Sequence, residues 1–266
     1  MKGLVIAVAM VCLASVGCEK SSDPVGDVRS IELSVGSAWT YRWHVEQYAS
    51  DGTLVWDTTS QFIVVVSAIN QTVGMYAGLT LLEARDQTTP TSTSEIWYAQ
   101  SGERLTEVAY RSPGNTPIVL PKRSGVVPAH LPERLALSPF VRPFALGLID
   151  AQASPSDSLQ IRQDPRVVYV YPLSEGTAWV SFTSPFLQER VVEGYDDLPG
   201  PGGTYHSARI RTTIPTLAPG LQWIDHVSAQ GLVRRRFDSW VSVMDPSGTP
   251  EADSLHILES IDLLAH

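Results

Sequence analysis

The sequence predicts a mainly β, antiparallel fold of two similar tandem β units, with a proline-rich segment covering part of it. Three observations lead there. Apolar and polar side chains alternate with a period of two in one stretch after another, and Gly, Asp, Asn and Pro punctuate nearly every gap between those stretches. No segment sustains a long helical period. A short signature is also written twice: Leu33-Ser34-Val35-Gly36-Ser37-Ala38-Trp39 matches Leu173-Ser174-Glu175-Gly176-Thr177-Ala178-Trp179 in its Leu, Ser, Gly, Ala and Trp.

Taken in order, residues 1–17 read as a signal peptide: Lys2, then an apolar run from Leu4 to Val16. The run is shorter than the roughly 20 apolar residues that span a bilayer. Ser15-Val16-Gly17-Cys18 resembles the bacterial lipobox, with Ser15 where that motif usually carries Leu. Cys18 is then the expected lipidation site, its thiol receiving a diacylglycerol. Cysteine usage fits, because Cys12 leaves with the signal and Cys18 has no disulfide partner in an oxidising compartment. The fold is therefore expected to be held by its core.

Residues 18–30 are expected to form the lipidated N-terminus and a flexible tether, since Glu19 to Asp27 is polar and has no large apolar side chain. Removing residues 1–17 takes one lysine from the 19 basic residues and none of the 28 acidic ones, so the charge moves from −9 to −10. That balance argues against a nucleic acid partner and against a polybasic grip on anionic lipid. The membrane is expected as a partner through the N-terminal lipid alone. Glu19 after the cysteine, in place of the Asp linked to inner-membrane retention in some bacteria, favours the outer membrane as the location in the cell envelope.

The first β unit is expected over residues 31–110. From Trp39 to Gln47 the odd positions are Trp39, Tyr41, Trp43 and Val45 and the even ones Thr40, Arg42, His44 and Glu46, which puts one face in a core and the other in water. Asp51-Gly52 supplies a hairpin turn. Phe62 to Val66 is a nearly continuous β-branched run, Asn70-Gln71-Thr72 reads as a turn, and further strands are expected at Met75 to Leu82, Ser94 to Ala99 and Arg104 to Tyr110. Residues 111–166 hold nine prolines, which excludes a central strand, yet Phe140, Val141, Phe144, Leu146, Leu148 and Ile149 are too apolar for a solvated linker. This segment is expected to cover an open edge or mouth of the sheet, with one helical turn near Glu133 to Leu137. The second β unit follows at 167–266, with strands at Arg166 to Tyr171, Thr177 to Phe182, Glu189 to Gly194, Tyr205 to Ile214, Leu221 to Val227, Gly231 to Met244 and Ser254 to Leu263.

Within the second unit, Gly176-Thr177-Ala178-Trp179, Pro201-Gly202-Gly203-Thr204-Tyr205 and Gln230-Gly231-Leu232-Val233-Arg234 resemble motifs of a group of uncharacterised bacterial lipoproteins. Those proteins share a Gly-x-x-Trp strand start, a turn close to Pro-Ala-Gly-Thr-Phe and a late Gly-Leu-Val-Arg/Lys. Here Gly202 stands for the Ala and Tyr205 for the Phe. The resemblance implies a curved antiparallel sheet like the half-barrels that carry lipoproteins between membranes, and supplies no catalytic residues.

Catalysis finds little support in the sequence. There is no Gly-x-Ser-x-Gly elbow and no His-Glu-x-x-His helix, and a single mature cysteine excludes a cysteine-rich metal site. The expectation is a non-enzyme with no cofactor, no metal and no catalytic residues. His44, His206 and His256 fall on strands as ordinary outward imidazoles, Asp196-Asp197 beside Gly194 and Pro199 reads as a turn, and alternation sets Arg235 on the face opposite Arg234 and Arg236, with salt bridging the expected use of all three. Trp39, Trp43, Trp97, Trp179 and Trp223 are candidate ligand-binding residues that would line a concave surface for a lipid or other hydrophobic ligand; filling the core is the plainer use of each. A partner protein of the envelope, and a hydrolase with a site these motifs miss, are the alternatives.

Overall fold

A computed structural model of the chain describes residues 26–87, 93–111, 159–183, 187–215, 222–244 and 250–266. Cys18, the signal, most of the tether and nearly all of the 111–166 segment, including its expected helical turn, lie outside the described residues. The described chain is all β and antiparallel: a 12-stranded sheet in the order β6-β5-β4-β3-β2-β1-β12-β11-β10-β9-β8-β7 that wraps into a nearly closed barrel.

That order is two six-stranded meanders. The first contains β1 (Ala38–Tyr48), β2 (Leu54–Val73), β3 (Tyr76–Asp86), β4 (Thr93–Gln100), β5 (Arg104–Arg111) and β6 (Gln160–Val170). The second contains β7 (Ala178–Phe182), β8 (Gln188–Gly200), β9 (Gly203–Thr213), β10 (Gln222–Ser228), β11 (Gly231–Met244) and β12 (Pro250–Ala265). They meet where β12 pairs with β1, from Thr40 opposite Ala265 to Tyr48 opposite His256. The expected boundary at residue 167 falls inside β6, which pairs with β5 and so lies in the first meander.

The repeated signature has a repeated geometry. In the first copy Ser37 N–H donates to the Ser34 carbonyl, Gly36 N–H to Val66 and Val66 N–H to Ser37; in the second, Thr177 donates to Ser174, Gly176 to Val192 and Val192 to Thr177, all at 2.9 Å. Both glycines sit at positive φ, Gly36 at 90° and Gly176 at 83°, which is why Gly stands there twice. Each turn delivers a tryptophan, Trp39 or Trp179, to the start of the first strand of its meander.

Where β6 and β7 approach, no ladder joins them among the described residues. Side chains bridge instead: Trp179 Nε1 donates to the Val167 carbonyl (3.3 Å), Arg190 Nη1 to the Val168 carbonyl (2.9 Å) and Thr183 Oγ1 to Asp164 (2.9 Å). β6 contains Pro165, which has no N–H to donate and suits an edge.

Because the strands alternate in direction, the connections alternate between two ends. At the end where the chain enters, every connection is described, and residues 26–33 run across it. Val28, inside the stretch expected as tether, is buried, as is Ile31. The Val28 carbonyl accepts from Leu173 N–H (2.9 Å), Glu32 N–H donates to Ala229 (3.2 Å), Gln100 Nε2 donates to Ile31 (2.8 Å), and Tyr195 Oη accepts from Val28 N–H (3.0 Å) while donating to Leu173 (2.6 Å). At the opposite end only the 49–53 turn is described.

Two sequence expectations are corrected. Asp196-Asp197 lie within β8, paired across to Ser207 and His206, because the reversal comes later at Gly200–Gly203; the irregularity between Val192 and Gly194 absorbs the glycine. Asn70-Gln71-Thr72 likewise lies within β2, Asn70 taking a left-handed φ of 56° at a bulge instead of turning the chain.

Candidate functional site

The inner face of the barrel has two unlike walls. Alternation along β1 turns Trp39, Tyr41, Trp43 and Val45 inward, as expected, and β2 faces them with Phe62, Val64 and Val66; all are buried. Tyr41 and Phe62 stack at 5.2 Å, and Tyr41 Oη donates to the Leu232 carbonyl (3.1 Å). Trp39 Nε1 donates to the Gln230 carbonyl (2.5 Å) and its ring lies 5.5 Å from His266. This wall is filled with aromatic carbon.

The other wall, on β5, β6 and β8–β12, is ionic. Glu107, Arg166, Arg190, Asp225, Arg235 and Glu259 are all buried, and Arg162 is nearly so. Arg235 and Asp225, opposite each other on β11 and β10, form a pair with both side chains 0% exposed, Nε to Oδ1 at 2.5 Å and Nη2 to Oδ2 at 2.8 Å. Arg162 Nε donates to Glu107 (2.5 Å), and the Arg166 guanidinium lies 4.4 Å from the Phe182 ring. Arg190 lies 5.8 Å from the Tyr169 ring. A buried pair of this kind is costly to desolvate and very costly to break from one side.

The environment moves the titrating groups. Burial pulls the Arg190 pKa down, with the Asp225 charge opposing. Burial also works against charged Arg235, but Asp225 outweighs it and the pKa rises. Tyr41, Tyr169 and Tyr171 are pushed up, chiefly by burial, so all three are neutral phenols at any physiological pH.

Two inward rows cross the second meander. One reads Trp43, Ile261, Arg235, Asp225, Ile210 and Val192; the other Val45, Glu259, Phe237, Trp223, Thr212, Arg190 and Trp179. In these rows, and beside them on β7, the buried Trp223 Nε1, Thr212 Oγ1 and Ser181 Oγ have no hydrogen-bond partner among the described residues. Arg235 Nη1 is also unpartnered, although the rest of that guanidinium is paired.

Of the candidate tryptophans, Trp39, Trp43 and Trp223 are buried on the inner face and Trp179 is partly buried at the β6–β7 approach. Trp97 is not brought to them. Alternation along β4 turns Ile96 and Tyr98 inward and sets Trp97 on the other face, in a separate cluster with Val73, Leu79, Val108 and Ala109, beneath Arg111. Arg190, Thr212, Ser181 and Asp225 were not singled out from sequence. Alternation gave their strands, but only the register shows that they share a face.

The outer face carries ion pairs. Arg234 and Arg236 both reach Asp262 (3.1 and 2.7 Å), so the arginine triplet divides as alternation requires, with Arg235 inside. His44, His206 and His256 pair with Asp57, Asp197 and Asp238, and His226 with Asp196 (3.0 Å). Among the described residues one group, His44, Glu46 and Asp57, has ligand atoms within 4.8 Å of one another. It is solvent-facing, and the 2.9 Å His44–Asp57 contact already satisfies one imidazole nitrogen.

No protein-family model matches the chain, and no curated protein matches it. Two solved structures resemble it in outline. One, from Bacteroides fragilis NCTC 9343, is a protein assigned as exported with a YmcC-like fold; it is 9% identical, with TM-score 0.36, over 89% of this chain and 97% of that one. The other, assigned as a lipoprotein from Parabacteroides distasonis ATCC 8503, is 9% identical with TM-score 0.30, over 88% of this chain and 95% of that one. At such scores the architecture rests on this chain's own strand pairing.

Proposed function

We propose that this chain is a lipoprotein of the bacterial cell envelope, anchored through Cys18 at the outer membrane, and that its barrel is a non-enzymatic module binding a lipid or other ligand with a large apolar part. The anchor reading is supported by the short apolar run ending in Ser15-Val16-Gly17-Cys18. One observation carries the binding reading: the inner face that carries the aromatic wall also holds buried donors, Trp223 Nε1, Thr212 Oγ1 and Ser181 Oγ, that the described protein leaves unused. Buried polar groups are nearly always satisfied, so unused donors inside a barrel mark where something else is held.

Native mass spectrometry of the full lipidated chain released from a non-ionic detergent micelle, followed by solvent extraction, tests this reading. A stoichiometric extractable ligand supports it; a clean mass of protein plus anchor overturns it. Replacing Cys18 by Ser should abolish incorporation of a fatty-acid label and release the chain from the membrane fraction.

A second reading, a structural or protein-interaction module of the envelope, is favoured by the segment sealing one end of the barrel and by the complete burial of Trp39. It predicts the clean mass and a partner captured by cross-linking. Under either reading, the matched turns at Gly36 and Gly176 support descent of the two meanders from one duplicated unit.

A further inference from the structure

Resting on the binding reading above, we infer that the barrel selects a ligand with an anionic head, a carboxylate or phosphate, seated on the inner face of β8–β11. Thr212 stands directly opposite Arg190 on one side and Trp223 on the other. Directly opposed residues on one sheet face have Cβ atoms about 5 Å apart, and diagonal ones about 7–8 Å. Arg235 is diagonal to Trp223, so its unpartnered Nη1, the Trp223 indole N–H and the Thr212 hydroxyl belong to one patch, within a side-chain length of the Arg190 guanidinium.

Every group left over in this patch is a donor or, for the hydroxyl, able to act as one. A neutral apolar ligand would leave these donors unused and unhydrated; an anion accepts from several at once. In a dry site charge-assisted hydrogen bonds of this kind are the strong ones. The aromatic wall of β1 and β2 continues the same inward rows, Trp43 through Ile261 to Arg235 and Val45 through Glu259 and Phe237 to Trp223, and is where the apolar remainder of the ligand would lie.

The test is a titration of the full lipidated chain, in a non-ionic detergent micelle, with laurate and separately with dodecanol, read by native mass spectrometry. Laurate is expected to bind at least about tenfold more tightly than dodecanol, the worth of one charge-assisted hydrogen bond. Equal binding of the two overturns the anionic head and leaves the proposed binder standing; failure of both, with nothing co-purifying, overturns the binder itself. Thr212→Val and Trp223→Phe remove unused donors while leaving the Asp225–Arg235 pair intact. Each is expected to weaken laurate about tenfold more than dodecanol; the melting temperature should be equal or higher for Thr212→Val, which loses an unsatisfied buried group, and lower for Trp223→Phe, which leaves a cavity. A variant that folds and binds laurate like the parent shows that its donor takes no part and overturns the assignment.

Discussion

The two meanders meet twice, and the two meetings are built differently. At β12–β1 the backbones pair from Thr40 to the end of β1, and Asp262 ties them on the outside, reaching Arg42 across the joint while holding Arg234 and Arg236 of β11. At β6–β7 three side chains span the gap and the ladder is missing. The lengths explain it: β1 has 11 residues to pair with, whereas β7 has five. A joint made of side chains can be undone by substitution without touching the fold's ladders, so the β6–β7 joint is where the barrel is expected to yield first.

The largest expected effect comes from the ionic wall that feeds this joint. Asp225 balances Arg235 and opposes the burial that lowers the pKa of Arg190, whose guanidinium holds the Val168 carbonyl across the gap. Asp225→Ala strands buried charge and should cost about 3–5 kcal/mol in urea unfolding. Replacing both partners, Asp225→Leu with Arg235→Met, should recover most of that loss. A double variant as unstable as the single one would show that the wall is held by packing and not by charge balance.

Hydrogen exchange compares the two joints directly. Amides of β1 and β12 should exchange only through near-global opening, while the unladdered edges of β6 and β7 exchange through local opening at much lower free energy. Equal protection on both sides would mean that the β6–β7 joint is as firm as the ladder, and would erase the distinction.

The matched tryptophans sharpen it further. Trp39 is fully buried beside the laddered joint and donates to Gln230; Trp179 is partly buried at the open one and donates to Val167. Trp39→Phe should cost about 2 kcal/mol, a lost hydrogen bond plus a cavity, and Trp179→Phe about 1 kcal/mol, chiefly the hydrogen bond. Thermal unfolding of the two variants side by side measures the difference; a larger loss at Trp179 would reverse the ranking of the joints.

How far the sequence reaches is visible in the same residues. Strict alternation made the inward face of β1 legible, because a period of two has one consistent burial pattern, and it placed Arg235 inside for the same reason. The repeated Gly-x-x-Trp start was legible because a left-handed turn needs glycine in both copies. Asp196-Asp197 were misread: an acidic pair beside Gly and Pro satisfies every local rule for a turn, and it is pairing with β9, with His206, Arg209 and His226 on neighbouring strands, that holds it in a strand. Membership of β6 in the first meander and the meeting of Arg190, Thr212 and Trp223 are matters of register. Register is set by partners far away in the chain, which local composition does not name.

Acid separates the two regions by the pH at which each loosens. His226, on β10 beside Asp196, Asp225, Arg209 and Arg234, has its pKa lowered, burial outweighing the acidic neighbours. The unfolded chain therefore binds a proton that the folded one resists; this contribution is present above the ordinary histidine value of about 6.5 and is lost as pH falls below it. At the laddered joint, burial tends to raise the Asp262 pKa, but Arg236 and Arg234 outweigh it and the value is lowered. That contribution persists through the histidine window and is lost only below the ordinary Asp value of about 3.9. Urea midpoints measured from pH 7 to pH 3 should therefore fall in two steps. His226→Gln should flatten the first and leave the second, and Asp262→Asn should do the reverse. An upper step unaffected by His226→Gln would show that His226 does not govern that range.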